Sequence, residues 1–280
     1  MMTLTQLIKL VLDQAYADMP CAAEGEKDEQ IKGRLEMLSS TYRGLTRGPH
    51  VPIDYADPVT RFAYIYRYTI AHADYVMQLI RRHATLARLF DGPEATVSCL
   101  GGGPGSDFLG VMKHMLLGRK KGDLTCYIFD RERAWGDSWS DVAKVLDADF
   151  RVFPVFQQLD VTSVATWQAY HKYLKADLFT LSFFLSEVWK IRSHAQPYFD
   201  HCLAKAKRGA LFLYVDNNAP EFYGWFDGLA AKHGIQQLHA DCGNMAFSNE
   251  EEKTDLGRYY EKFGWPKRES DVAFRVGIKN

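Results

Sequence analysis

The chain has 280 residues and a formal net charge of −1, with 47% hydrophobic and 25% charged residues. That balance is that of a soluble globular protein with one large domain or two small ones. It argues against a surface built for duplex or structured RNA, which carries excess positive charge, and no 18-residue apolar run offers a membrane-spanning helix.

The N-terminus, Met1 to Leu10, lacks a basic start and a long apolar stretch, so a signal peptide is not expected. Residues 3–18 place Leu4, Leu7, Ile8, Val11, Leu12 and Ala15 at helical spacing. Residues 21–30 are polar and acidic and predict an exposed loop. A second helix is expected over 30–44 through Ile31, Leu35 and Leu38, and residues 45–56, with Gly48 and Pro52, read as irregular. Asp57-Pro58 is a strong helix start, an acid that can cap followed by a proline in the first turn. That helix should run to Arg82 and carry Arg61, Tyr64, Tyr68 and Tyr75 on one face. A short helix over 84–90 leads to Asp91-Gly92-Pro93, where the N-terminal helical region (1–90) should give way to the core (91–280).

From there strands and helices alternate, which predicts a parallel sheet covered by helices on both faces. The apolar run Val97-Ser98-Cys99-Leu100 enters Gly101-Gly102-Gly103-Pro104-Gly105 and then a helical pattern from Phe108. Strand, glycine turn and helix in that order let a ligand approach bare backbone. A second run, Cys126-Tyr127-Ile128-Phe129, ends in Asp130, placed to accept from ribose hydroxyls. Trp135 and Trp139, four apart, either wall a nucleobase slot or anchor the next helix. A third strand leads to Asp160, which either meets the ligand or caps a helix over 164–174. Further strands are expected over 177–185, ending near Phe183 and Glu187, and over 210–215, ending at Asp216. Strands over 235–240 and 272–278 complete the set. The basic groups Arg119-Lys120-Lys121 and Lys205-Ala206-Lys207-Arg208 read as helix C-termini, with Gly122 and Gly209 as caps. Five cysteines without a Cys-x-x-Cys pair point to reduced thiols and a cytoplasmic setting. The histidines have no spacing that suggests a zinc site, so no metal is expected.

Glycine spacing selects the ligand class. A dinucleotide fingerprint needs Gly-x-Gly-x-x-Gly, and neither register from Gly101 or Gly103 supplies it; no Gly-Lys-Ser/Thr phosphate loop occurs either. The remaining Gly-x-Gly-x-Gly, written here as Gly-Gly-Gly-Pro-Gly, resembles the first motif of the class I S-adenosylmethionine-dependent methyltransferases, over roughly residues 91–280. The resemblance implies a Rossmann-like α/β fold, a seven-stranded mostly parallel sheet with its last strand antiparallel and helices on both faces, plus the N-terminal helical extension. It implies S-adenosylmethionine as cofactor. Gly101, Gly102, Gly103 and Gly105 would pass under its methionine and ribose. Asp130 with Arg131 would sit at the ribose, Asp160 beside the adenine, and Phe183 at the fourth strand tip. Cys99 stands where the family usually has an acid, and Asp107 would substitute for it. Tyr64 and Tyr68 would close over the methionine end from the N-terminal helix.

Glu187 is the expected base or amine-binding carboxylate, and Asp216 a second candidate. The (Asp/Asn)-Pro-Pro-(Tyr/Phe) and Pro-Cys signatures of base-modifying enzymes are missing. The preferred expectation is a methyltransferase with a small-molecule acceptor. An RNA or protein acceptor, with a partner supplying basic surface, is one alternative, and a non-catalytic binding protein another. No membrane partner is expected.

Overall fold

The computed structural model describes residues 3–20, 23–44, 53–139, 148–248 and 253–280. Seven strands form one sheet: β1 (Glu94–Leu100), β2 (Asp123–Asp130), β3 (Val152–Gln158), β4 (Leu178–Ser182), β5 (Leu211–Asn217), β6 (Ile235–Ala246) and β7 (Glu269–Lys279). Their order is β3-β2-β1-β4-β5-β7-β6. β1 to β5 are parallel, whereas β7 runs antiparallel to both β5 and β6.

Strand alternation builds two apolar layers. In β5, Leu211, Leu213 and Val215 face one core cluster, while Phe212 and Tyr214 face the other, the two-residue period of a strand buried on both sides. The first cluster also takes Leu4, Ile8 and Leu12 from the N-terminal helix and Phe62, Val76 and Leu79 from the helical stretch 58–82. The N-terminal helices therefore share a core with the sheet. The second cluster is closed by the helices Arg192–Lys205 and Pro220–Lys232.

The helix Leu4–Ala17 starts at a reciprocal cap, Thr3 Oγ1 accepting from the Gln6 backbone and the Gln6 side chain from Thr3. The next helix is Glu24–Arg43, so residues 24–30 are helical where the sequence suggested a loop. Glu24 and Glu26 complement the helix dipole, and the Lys27 ammonium folds under to donate to the Tyr16 carbonyl at 2.7 Å. Of the stretch 45–56, residues 45–52 lie outside those described. Asp57 caps the next helix through Val59 N and Thr60 N, as its position before Pro58 predicts. The helix expected over 164–174 instead breaks into Val164–Gln168 and a short 3-10 turn, Lys172–Lys175. Neither Gly122 nor Gly209 caps its helix: Ser106–Leu117 ends at Gly118 and Arg192–Lys205 at Ala206. Among the described residues, no helix is long and apolar enough to cross a membrane, and no cluster of His, Cys, Asp or Glu could hold a metal ion.

Pro58–Tyr64 and Ile70–Arg82 form one continuous helical stretch with a π-helical segment, Ile65–Thr69, between them. A π segment inserts one residue and leaves a carbonyl without its usual partner; here the Arg67 carbonyl accepts from Lys267 N at 2.9 Å.

Candidate active site

Strand order reverses between β1 and β4. In open α/β sheets ligands sit outside the carboxyl ends of the strands at such a point. A cavity of about 360 Å³ lies there, within the usual range for small-molecule sites. Its walls include Gly101, Gly102, Asp107, Asp130, Arg131, Trp135, Asp160, Phe183, Glu187 and Tyr64.

The glycine loop is fixed from behind. Gly102 N donates to the Phe129 carbonyl at 2.9 Å, and the buried Trp139 indole donates to the Gly103 carbonyl at 3.0 Å. Gly105, at φ 81°, occupies the left-handed region, and a Cβ there would lie 2.3 Å from the Trp139 ring. A Cβ on Gly103 would lie 2.4 Å from Trp135 and 2.5 Å from the Asp130 carboxylate. Gly103 and Gly105 thus shape the walls without being part of the cavity lining.

Three carboxyl groups converge on the loop side. Asp130 accepts from Glu132 N at 2.9 Å, and burial pushes its pKa up to about 6 against the pull of the Glu132 and Gly103 backbone amides. Asp107 is buried, and one oxygen accepts from Thr180 Oγ1 at 2.8 Å. Its other oxygen is buried without a close hydrogen bond, and burial raises the group to about 6 against the pull of the Thr180 and Ser182 hydroxyls. An unsatisfied buried acceptor is costly unless a ligand supplies a donor. Asp160 accepts from Thr162 N at 2.8 Å and Thr162 Oγ1 at 2.7 Å, so it closes a turn while also lining the cavity. Cys99 is fully buried, with its thiol held above the usual range first by its hydrogen bond with Cys126 and then by burial.

Glu187 faces the same cavity from the short helix Leu185–Val188. Tyr42 donates to its carboxylate, Tyr55 reaches it at 3.4 Å, and the two hydroxyls lie 2.7 Å apart. Burial raises Glu187 to about 7; the Tyr42 hydrogen bond opposes this, and the charges of Asp216 and Asp130 add to it. Asp216 does not line the cavity. It is fully buried and accepts from Ser186 N at 2.9 Å and Asn217 N at 2.7 Å, which fixes the turn that carries Glu187.

An aromatic wall completes the site. The Tyr64 ring lies 5.5 Å from Tyr55 and 6.2 Å from Trp135, edge-on to both. Tyr68 stands behind it, 5.2 Å from Tyr64 and 5.0 Å from Tyr42, outside the lining. Trp135 is fully buried and also lines the cavity, so it is both wall and anchor. Arg61 donates to the Tyr55 and Ala56 carbonyls at 2.7 Å; it places Tyr55 rather than touching the cavity. Phe183 adopts φ 54°, a left-handed conformation costing roughly 1–2 kcal/mol in a non-glycine residue. Its ring lies flat against His72, centroids 3.6 Å apart, and burial holds His72 well below the usual histidine range.

Tyr42 and Tyr55 were not anticipated from sequence. They meet Glu187 across 145 and 132 residues, and neither stands in a motif.

No family profile matches the chain, and no curated protein matches it. In fold it is similar to several solved structures. One is a proposed RNA methyltransferase from Pyrococcus horikoshii, 15% identical, covering 86% of this chain and 98% of that one at a TM-score of 0.45. A second is a SAM-dependent methyltransferase from Methanosarcina mazei, 12% identical, covering 69% of this chain and 96% of that one at 0.46. A third is the CurJ carbon methyltransferase, 10% identical, covering 90% of this chain and 67% of that one at 0.48. Strand order and the reversed β7 give this chain the Rossmann-like seven-stranded α/β fold that the glycine loop implied.

Proposed function

We propose that the protein binds S-adenosylmethionine and transfers its methyl group to a small-molecule acceptor held between the N-terminal helices and the tip of β4. The observation that carries this reading is the cavity at the strand-order reversal, lined by Gly101, Gly102, Asp107 and Asp130. The residues present suit the cofactor. Asp130 stands at the end of β2 as an acceptor for ribose hydroxyls, and Asp107 offers a buried acceptor for an ammonium group. Trp135 and Asp160 flank the place for the base. When bound, the cofactor supplies an electrophilic methyl group on a sulfonium.

The chain's own part is positioning and proton handling. Tyr64, Tyr55 and Trp135 exclude water from one side. Glu187, raised to about 7, is poised to take a proton from an acceptor N–H or O–H near neutral pH, and the Tyr42 hydroxyl holds its carboxylate in place. The aromatic wall of the cavity and the near-zero net charge support a small acceptor over a nucleic acid.

Calorimetry with S-adenosylhomocysteine and NAD tests the cofactor. Binding of the first alone is expected; binding of NAD alone overturns the reading. A screen with radiolabelled S-adenosylmethionine against metabolite, RNA and protein pools tests the acceptor, with label expected in the metabolite pool and incorporation into RNA or protein counting against it.

A further inference from the structure

A second depression lies on a different face of the helical stretch 58–82. It is an open groove of about 570 Å³ lined by Arg67, Phe247, Lys267, Arg268 and Glu269 among others. Arg67 and Lys267 are both half-buried. They are neighbours, since Lys267 N donates to the Arg67 carbonyl, and the Lys267 ammonium lies 6.0 Å from the Tyr68 ring centroid. Among the described residues neither makes an ion pair; the Arg67 guanidinium bonds the Tyr68 side chain, while its Nε is buried with no hydrogen-bond partner. The other charges of the groove are engaged elsewhere. Arg268 lies over the Trp265 and Phe247 rings, at 4.7 and 5.8 Å, and Glu269 accepts from Asn244 at 3.3 Å.

Two partly desolvated cations side by side, without a counter-charge, are unfavourable. Burial, and then the Arg67 charge, hold Lys267 below the usual lysine range. An arginine with a free N–H presents a planar fork that matches two oxygens of one oxyanion, and a nearby lysine adds a point charge. We propose that this groove is an oxyanion site, with Arg67 and Lys267 binding the phosphate group of a small molecule. The site lies outside the cavity of the proposed methyl transfer and stands independently of that function.

In sequence the acidic run Glu250-Glu251-Glu252 follows the groove residue Phe247 by three positions. Thermal shift and calorimetry on the full chain, with inorganic phosphate as probe, test the proposal. Phosphate, and more weakly acetate, should raise the parent's Tm in a dose-dependent way, while chloride at matched ionic strength does not. Arg67→Gln with Lys267→Gln should weaken phosphate binding at least about tenfold, the loss of one or more charge-assisted bonds. In phosphate-free buffer Lys267→Met should melt at the parent's temperature or above it, because a repulsion is removed. A lower Tm for Lys267→Met, equal phosphate response in parent and double variant, or phosphate binding only after Glu250, Glu251 and Glu252 are changed to Gln would each overturn the proposal.

Discussion

Asp107 sets one oxygen on Thr180 and keeps the other buried without a close hydrogen bond. Its raised pKa means that the folded chain keeps a proton which the unfolded chain releases. As pH climbs from about 4 to about 6, the parent therefore loses stability relative to Asp107→Asn, by about 3 kcal/mol at most, and loses no more above that window. Denaturation of the two cofactor-free proteins at several pH values checks this; a difference independent of pH removes the buried acid from consideration. Glu187 gives a kinetic counterpart. If its carboxylate takes the acceptor's proton, turnover rises with pH through about 7 in the parent. Glu187→Gln should then lower kcat by roughly 10²–10⁴ and flatten that rise. Because the Tyr42 hydrogen bond pulls the Glu187 pKa down, Tyr42→Phe should move the rise to higher pH; an unmoved profile would detach Tyr42 from proton transfer. Asp130→Ala should weaken S-adenosylhomocysteine binding at least about tenfold, the loss of one charge-assisted hydrogen bond, as read by calorimetry on the folded variant.

The glycine loop joins β1 to the helix Ser106–Leu117, and its tight packing makes a sharp prediction. A side chain on Gly103 must displace Trp135 or the Asp130 carboxylate, both cavity walls. Gly103→Val should abolish cofactor binding while circular dichroism stays that of the parent; normal binding would reduce the loop to a turn. This loop, the Asp57-Pro58 helix start and the parallel strands were readable because each is a local pattern of a few residues. The helix over 24–30 was not, because it is held by contacts between elements, Lys27 on the Tyr16 carbonyl and Asp28 on Tyr16 and Lys262, and periodicity carries no such contact. Nor was the grouping of Tyr42 and Tyr55 on Glu187, which exists only once the N-terminal helices fold over the β4 tip. Asp216 looked like a site residue by its place at a strand end; its bonds to Ser186 and Asn217 turn it inward.

The molecule has no cleanly separable half. Leu4, Leu7, Ile8, Leu12, Ile31 and Leu38 are almost fully buried in the cluster that also holds Val97 and Val272. Each such side chain stabilises by about 1.5–3 kcal/mol, and domains have only about 5–15 kcal/mol of net stability. A chain beginning at residue 57 should therefore be unfolded or aggregated, and it lacks Tyr42 and Tyr55 as well. A soluble, cooperatively melting product from such a truncation would show that the sheet stands alone. The near-balanced total charge conceals local asymmetry, with acids crowding the cavity and cations the groove at Arg67 and Lys267.

The π-helical segment Ile65–Thr69 works as a phase adjuster. The half that follows it is clamped to the helix Ser106–Leu117, where a Cβ on Gly110 would strike the Ala73 carbonyl at 2.5 Å, so that half cannot rotate. The half before it turns Tyr64 toward the cavity. One inserted residue offsets the two halves by about 100°, one step of a 3.6-residue turn. Deleting a single residue from 65–69 should restore a regular helix, leave the clamp intact and swing Tyr64 away from Glu187. The same rotation turns Val59, Phe62 and Ala63 out of the shared core, so such a variant should melt well below the parent as it loses its aromatic wall, and an unchanged Tm would show that the inserted residue sets no phase.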